Sequence, residues 1–156
     1  MIMFHSSNKL FDVFDNRFIQ ELGFHFGTRV QADNNFNRLD IMPNSQGHKI
    51  GYIYECELNL IRILDISIDL GKWDYEMIEE YFSPYANDYL ELDNPHEWDS
   101  VNTIEDFIVF IQSKGYNGMK YINHYEGNGT DDREDEAFII FNDYDITIKT
   151  IYTVVL

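Results

Sequence analysis

The side chains best suited to chemistry lie in three short segments that are far apart in the sequence. The first has a histidine followed by two serines, the second a histidine between two phenylalanines, and the third ends in a carboxylate. The segments are residues 3–7, residues 23–28, and residues 115–121 running on to Asn123 and Glu126. Imidazole and carboxylate groups can hydrogen-bond a ligand and stabilise charge, and aromatic rings can stack on a flat one. An arbitrary globular domain has little reason to contain all three.

Other common chemistries find no support in the residue types and spacing. His25, His48, His96 and His124 have no spacing suited to a metal site, and Cys56 has no neighbour that would stabilise a thiolate. Neither a phosphate-binding glycine loop nor a dinucleotide-fold glycine pattern occurs. We therefore predict no metal and no Rossmann-type cofactor site.

Together the three segments resemble the ADP-ribosyltransferase fold, of the kind found in phages and mobile elements, which includes polyvalent-protein and anti-CRISPR-like domains. Residues 52–60, 63–65 and Trp73 are similar to its third-strand region, and residues 137–141 to its closing segment. The similarity touches most of the chain. It implies an α+β fold with a split β-sheet and with helices between the early and late strands, in one domain over residues 1–156.

The resemblance implies that NAD is the substrate and that its nicotinamide bond breaks through a cation-like ribosyl transition state. His5 matches the first-strand histidine that orients the adenosine-side ribose. Ser6 stands where many members have glycine. Backbone groups of the adjoining residue bind the nicotinamide carboxamide in that family. Phe26 and Phe36 match the two aromatic residues that sandwich the nicotinamide ring. The implied NAD-binding residues are His5, Ser6, Ser7, Phe26, Thr28, Phe36 and Asn123. Core packing is the alternative role for the two phenylalanines, and a purely structural role is the alternative for His5.

Two carboxylates are candidates for the acid that stabilises the ribosyl cation. Glu126 lies after the strand predicted at 119–122, where similar phage domains have an acidic residue. Glu136 immediately precedes the strand predicted at 137–141, where the poly-ADP-ribosylating branch has its acid. Residues 131–136 also have the composition of a solvated charge run. We therefore expect Glu126 to be catalytic, with Glu136 as the second candidate.

The net charge of −17, from 28 acidic and 11 basic residues, limits the partners. It repels phosphate backbones, so direct binding of nucleic acid is not expected, whereas a basic protein surface would be attracted. Solubility alone is the alternative explanation of this charge. No apolar stretch is long enough to cross a membrane and no signal peptide is recognisable, which predicts a cytoplasmic protein, in the host cytoplasm for a phage product.

The predicted function is mono-ADP-ribosyl transfer from NAD to a host protein by a phage effector or anti-defence protein. Hydrolysis of NAD, with water as the acceptor, would use the same site. The third possibility is a catalytically inert acidic inhibitor that acts by binding or by nucleic-acid mimicry.

Hydrophobic periodicity, caps and turn residues predict the elements that position these residues. Strands are predicted at 2–4, 24–26, 50–64, 119–122, 137–141 and 146–155. Helices are predicted at 30–39, 73–82 and 104–114, with Thr28 and Thr103 as N-caps of the first and last. The apolar residues between 11 and 22 predict a further short amphipathic segment. Residues 41–49 and 83–100 are predicted to be irregular and to recognise the target.

Overall fold

The computed structural model describes residues 1–18, 22–83, 90, 92–124, 126 and 135–156. Its strands are β1 (Ile2–Ser7), β2 (Phe24–Phe26), β3 (Ile50–Leu58), β4 (Ile63–Asp65), β5 (Gly118–Ile122), β6 (Glu136–Ile140) and β7 (Ile146–Val155). Its helices are α1 (Arg29–Asn35), α2 (Tyr75–Phe82) and α3 (Ile104–Ser113), with 3-10 turns at Asn16–Phe18, Pro95–Ser100 and Asp143–Asp145. The predicted α+β class is confirmed.

The strands form two sheets that meet at one point. The first has the order β1-β3-β7 and is antiparallel, and the second has the order β2-β6-β5-β4 with β4 parallel to β5. Phe4 in β1 and Gly27 after β2 exchange two backbone hydrogen bonds of 2.9 Å. This bridge brings His5, next to Phe4, beside Phe26, next to Gly27. Two of the three sequence segments thus meet where the sheets join.

Around Ile53 and Tyr54, β3 is buried on both faces, which departs from the predicted alternation of one dry and one polar face, whereas Glu55 and Glu57 further along are half-buried and exposed and keep the predicted polar face. Tyr54 and Cys56 pack between the two sheets against Phe138 of β6. Ile53, on the opposite face, is also buried, because α1 covers it and packs Ala32 against it. A strand covered on both faces loses the simple period-2 pattern.

Helices α2 and α3 cover the outer face of the second sheet, where Phe82 and Phe107 pack against Met119 of β5. Thr103 caps α3 as predicted and accepts the N–H of Asp106 at 3.1 Å. Helix α2 begins two residues later than predicted, because the Asp74 side chain is its N-cap. None of the helices in the described ranges is long and apolar enough to cross a bilayer.

Between β1 and β2, the described residues 8–18 and 22–23 contain less helix than the apolar spacing of the segment predicted. The turn Asn16–Phe18 is its helical part, and residues 19–21 lie outside the described chain. The Tyr54 hydroxyl accepts the N–H of Phe11 at 2.8 Å and donates to the carbonyl of Lys9 at 3.0 Å. These backbone groups are therefore bonded to a side chain instead of to a helix ladder.

The other boundaries follow the predictions with small shifts, except that α1 ends at Asn35 instead of at residue 39. The predicted strand 50–64 is divided into β3 and β4, and β1 extends to Ser7, where a turn was predicted. Residues 41–49 are irregular as predicted. In the predicted irregular stretch 83–100, the structure has the 3-10 turn Pro95–Ser100, while residues 84–89 and 91 lie outside the described chain.

Candidate functional site

A cleft opens where the two sheets meet beside α1. It consists of two adjoining cavities of about 70 and 670 Å³ that share His25, Asn35, Tyr121, Asn123 and Glu126 in their walls. The smaller cavity reaches the bridge between the sheets, where its described lining also includes His5, Ser6 and Phe26. Five predicted site residues from all three sequence segments therefore border one cleft: His5, Ser6, Phe26, Asn123 and Glu126.

His5 lies at the inner end of the cleft, half-buried among aromatic rings. The ring centroids of Phe14 and Phe26 are 5.2 and 5.7 Å from that of His5. Its Nδ1 is 2.8 Å from the carbonyl oxygen of His25 and must donate, since a carbonyl only accepts. Burial lowers the His5 pKa, partly opposed by this hydrogen bond. The ring is therefore neutral at pH 7, and Nε2 is a hydrogen-bond acceptor.

The three hydroxyl residues predicted to bind NAD have different environments. Ser6 is buried at the cleft, and its Oγ accepts a hydrogen bond from Asn35 Nδ2 at 2.9 Å. Ser7 Oγ instead accepts the N–H of Lys9 at 3.0 Å in a local turn. Thr28 Oγ1 caps α1 by accepting the N–H of Gln31 at 3.2 Å. Ser6 is thus the hydroxyl of this set that borders the cleft.

The structure does not bring Phe26 and Phe36 to one cavity as two stacking walls. Phe26 is buried between the sheets and borders the smaller cavity. Phe36 packs under α1 with Ile41 and Ile53, and its ring lies against Gly51 of β3. The alternative of core packing therefore describes Phe36, because the residues that follow α1 turn it toward the sheet.

Glu126 is held in the cleft by four hydrogen bonds. Its Oε1 accepts from Arg38 Nη1 at 2.8 Å and its Oε2 from Asn123 Nδ2 at 2.7 Å. Its backbone N–H donates to Asn123 Oδ1 at 3.2 Å, and its carbonyl accepts from Asn34 Nδ2 at 2.7 Å. The side chain is 14% exposed, which leaves the carboxylate accessible from the cleft.

Comparisons of this chain with protein-family models, with curated proteins and with solved structures found no match.

Glu136, the second candidate acid, has a different environment from Glu126. Its Oε1 accepts from Lys120 Nζ at 3.1 Å, and Lys120 also pairs with Asp65 at 2.8 Å. Hydrogen bonds to these two carboxylates raise the Lys120 pKa. The next residue, Ala137, borders the cleft. Since neighbouring strand residues point to opposite faces, Glu136 points away from the cleft that Ala137 borders. It therefore belongs to this surface ion-pair network.

Asp135 departs from the predicted solvated charge run, of which residues 131–134 lie outside the described chain. It is buried, and the Nδ1 of His124 is 3.4 Å from its Oδ2. Its carbonyl accepts both the N–H of Asn123 and the side chain of Gln31, each at 2.8 Å. The Asp135 carbonyl thus binds both Gln31 of α1 and Asn123, and these two residues border the smaller cavity.

Sequence reasoning missed an aromatic wall formed by His25, Trp73 and Tyr121. His25 Nδ1 lies 3.2 Å from the Tyr121 hydroxyl, and the rings of Trp73 and Tyr121 are 4.6 Å apart. Burial lowers the His25 pKa to about 4, with smaller contributions from the charges of His5 and Arg38. His25 is therefore neutral at pH 7. The alternation Phe24-His25-Phe26 was the available signal, because it places His25 on the opposite face from the phenylalanines.

The polar face of α1 was also missed. Gln31 and Asn35 border the smaller cavity, and Asn35 with Arg38 borders the larger one. Their spacing of three and four residues puts them on one side of the helix and its following turn, and this spacing was the available signal. Among the described residues, no group of three or more histidines, cysteines and carboxylates is placed to hold a metal ion. The cleft thus combines a fixed carboxylate, neutral imidazoles, amides and aromatic rings, which suit a polar ligand with a planar ring.

Proposed function

We propose that the protein is a mono-ADP-ribosyltransferase that uses NAD as its substrate and modifies a protein in the host cytoplasm, as a phage effector or anti-defence protein. The supporting observation is the convergence of His5, Ser6, Phe26, Asn123 and Glu126 on one cleft. These residues come from three segments that are far apart in the sequence. Packing alone gives no reason for them to share a cavity.

In the proposed reaction, the bond between the ribose C1′ and the nicotinamide nitrogen breaks, and its electron pair leaves with nicotinamide. Positive charge then develops at C1′, and the Glu126 carboxylate stabilises it while accepting a hydrogen bond from a ribose hydroxyl. Asn123 fixes the orientation of this carboxylate through two hydrogen bonds. A nucleophile of the target protein attacks C1′ and releases its proton to water.

The neutral state of the imidazoles suits this chemistry. A cationic ring in the cleft would oppose the charge that develops at C1′, whereas burial keeps His5 and His25 neutral. His5 Nε2 can then accept a hydrogen bond from a ribose hydroxyl. The aromatic rings at Phe26, Trp73 and Tyr121 offer apolar surface to the planar parts of NAD.

The net charge of −17 favours a basic protein target, such as a nucleic-acid-binding component of a host defence system. The charge would speed association at low ionic strength, so the rate of modification is expected to fall as salt is added. Direct binding of nucleic acid is not part of the proposal. Hydrolysis of NAD by water would use the same residues.

A second candidate, an inert acidic binding protein, is favoured by a different observation. Both oxygens of Glu126 are already hydrogen-bonded, and aromatic rings crowd His5. Such contacts also suit a site that has only a structural role. This candidate predicts salt-sensitive binding of a basic partner that does not depend on Glu126.

The test is intact-mass analysis of basic candidate targets incubated with the protein and labelled NAD, with Glu126→Gln beside the wild type. Asp33→Asn is the matched control, since Asp33 also pairs with an arginine of α1 but lies outside the described cleft lining. Label that is transferred by the wild type and the control, but not by Glu126→Gln, supports the transferase. Absence of both label and NAD consumption would overturn it.

A further inference from the structure

Arg38 is an arginine placed at the wall of the cleft in a strongly acidic protein. It follows α1, its side chain is 62% exposed, and its guanidinium binds Glu126 Oε1 at 2.8 Å. It borders the larger cavity together with Asp69 and Tyr121. Its charge acts on neighbouring groups, because it contributes to the lowered pKa of His25. Arg38 is therefore the cationic side chain in the described lining of the larger cavity, which also contains the carboxylates of Asp69 and Glu126.

The Arg38–Glu126 ion pair occupies an oxygen that the proposed reaction needs. Glu126 Oε2 is bonded to Asn123, and Oε1 is bonded to Arg38. Of the two partners, Asn123 is buried and also bonded through its backbone to Asp135, whereas Arg38 is exposed. The pair is open to solvent on its Arg38 side, where the side chain is 62% exposed, and solvent screening weakens such ion pairs. Arg38 is thus the partner that can leave Glu126 at small cost.

A phosphate group is a suitable replacement partner for Arg38. The guanidinium presents a planar fork of donors that matches phosphate oxygens, and its bonds to phosphate are charge-assisted. A cavity of about 670 Å³ adjoins it, with an aromatic wall on which a planar base can pack. The ligand class that fits both features is a nucleotide with a pyrophosphate group.

We infer that Arg38 is a switch that exchanges Glu126 for the pyrophosphate of a nucleotide ligand, so that ligand binding releases the Glu126 carboxylate toward the ribose. The release of Glu126 rests on the proposed function, whereas the exchange itself is a binding event that needs no reaction. The ion pair of the unliganded cleft competes with the ligand. Removing Glu126 therefore strengthens pyrophosphate binding through Arg38.

The chain contains a matched control pair within α1. Arg29 binds Asp33 at 3.2 Å, and its guanidinium lies over the Tyr152 ring at 4.8 Å. This pair has the same charges as the Arg38–Glu126 pair, and neither member is in the described cleft lining. Replacing Arg29 or Asp33 changes the net charge by the same amount, so it measures the effect of charge alone.

The experiment is calorimetric titration with ADP-ribose, and separately with inorganic pyrophosphate, of the wild type and the variants Arg38→Gln, Glu126→Gln, Arg29→Gln and Asp33→Asn. Loss of a charge-assisted contact should weaken ADP-ribose binding about tenfold or more in Arg38→Gln. Arg29→Gln and Asp33→Asn should remain within about twofold of the wild type, because exposed charges outside the site are screened. Glu126→Gln should tighten the binding of inorganic pyrophosphate several-fold, because the ion pair no longer competes for Arg38. Thermal unfolding of each variant confirms that it is folded.

The double variant Arg38→Gln with Glu126→Gln distinguishes two effects. One is the exchange of Glu126 for pyrophosphate at Arg38, and the other is simple repulsion of the ligand by the Glu126 carboxylate. If Arg38 is the switch, the gain from Glu126→Gln largely disappears when Arg38 is absent. An equal gain in both backgrounds, wild-type affinity in Arg38→Gln, or no ADP-ribose binding by the wild type would each overturn the inference.

The two proposals can fail separately. Arg38-dependent ADP-ribose binding without any NAD consumption would support the switch and contradict the proposed transferase. Label transfer from NAD with unchanged ADP-ribose binding in Arg38→Gln would leave the transferase and remove the switch. Binding of pyrophosphate that equals the binding of ADP-ribose would overturn the nucleotide as ligand, because the aromatic wall would then contribute nothing.

Discussion

The side chain of Gln31 joins α1 to the chain on the other side of the cleft, so its replacement tests what holds the cleft together. It is 1% exposed. Its Oε1 accepts the N–H of Thr28 at 2.6 Å, and its Nε2 donates to the carbonyl of Asp135 at 2.8 Å. The change Gln31→Ala removes both hydrogen bonds and the buried methylene groups.

The expected loss of stability follows from these contacts. Each hydrogen bond contributes about 1 kcal/mol, and the lost burial of the side chain adds about 1 kcal/mol. We expect the free energy of unfolding to fall by about 3 kcal/mol. For a chain of this size, the free energy of unfolding falls by about 2 kcal/mol per molar urea. The urea concentration at the midpoint of unfolding should therefore fall by about 1.5 M.

Urea unfolding can be followed by the fluorescence of the two tryptophans, one of which, Trp73, is buried in the cleft wall. Gln46→Ala, in the exposed loop 41–49, is the matched control and should change stability by less than about 0.5 kcal/mol. Gln31→Glu keeps an acceptor for Thr28 but places a carboxylate against the Asp135 carbonyl, so it should be destabilised at neutral pH. A loss below about 0.5 kcal/mol in Gln31→Ala would refute the anchoring role.

Three further changes test other parts of the structure. Gly51→Ala should lower the free energy of unfolding by about 1–3 kcal/mol, because its Cβ would overlap the Phe36 ring, with Cζ only 2.8 Å away; an unchanged Tm would contradict this packing. The His25 pKa of about 4 is below the unfolded value of 6.5, so the unfolded state binds more protons between these values and stability falls as pH is lowered, by about 3 kcal/mol at most. His25→Gln should flatten this part of the stability–pH curve, and an unchanged slope would contradict the assignment. If the proposed transferase activity is present, Glu136→Gln should retain label transfer from NAD and lose less than about 1 kcal/mol of stability, since it breaks a partly exposed ion pair; loss of label transfer would instead make Glu136 the acid.

Features with a local cause could be predicted from the sequence. The strand β2 has the predicted bounds because a Phe-His-Phe triplet stands between two glycines, and Thr28 caps α1 because its hydroxyl accepts an N–H three residues ahead. The cap of α3 at Thr103 has the same origin. In each case the residues that decide the structure are neighbours in the chain.

Features that depend on distant contacts could not be predicted. The spacing of Phe11 and Phe14 is near-helical, yet both rings pack around His5, and Tyr54 binds the backbone of Phe11 from 43 residues away. The burial of Ile53 depends on α1 lying over β3. Such contacts override a local periodicity, because burial of an aromatic ring outweighs helix propensity.

The same distinction applies to the candidate site. The resemblance of three segments predicts His5, Ser6, Asn123 and Glu126 as site residues, and the structure places them around one cleft. The roles of Gln31 and Arg38 follow from hydrogen bonds to Asp135 and Glu126, about 100 and 88 residues further along the chain. No local pattern identifies such partners.

The most direct test of the transferase is label transfer from NAD to a basic protein by the wild type, by Glu126→Gln and by Asp33→Asn. We predict transfer by the wild type and by Asp33→Asn, with a loss of at least about a hundredfold in Glu126→Gln, as when a group that stabilises transition-state charge is removed. Equal activity of Glu126→Gln and the wild type would contradict the assignment of the acid. Absence of transfer and of NAD consumption with every form would contradict the enzymatic function itself.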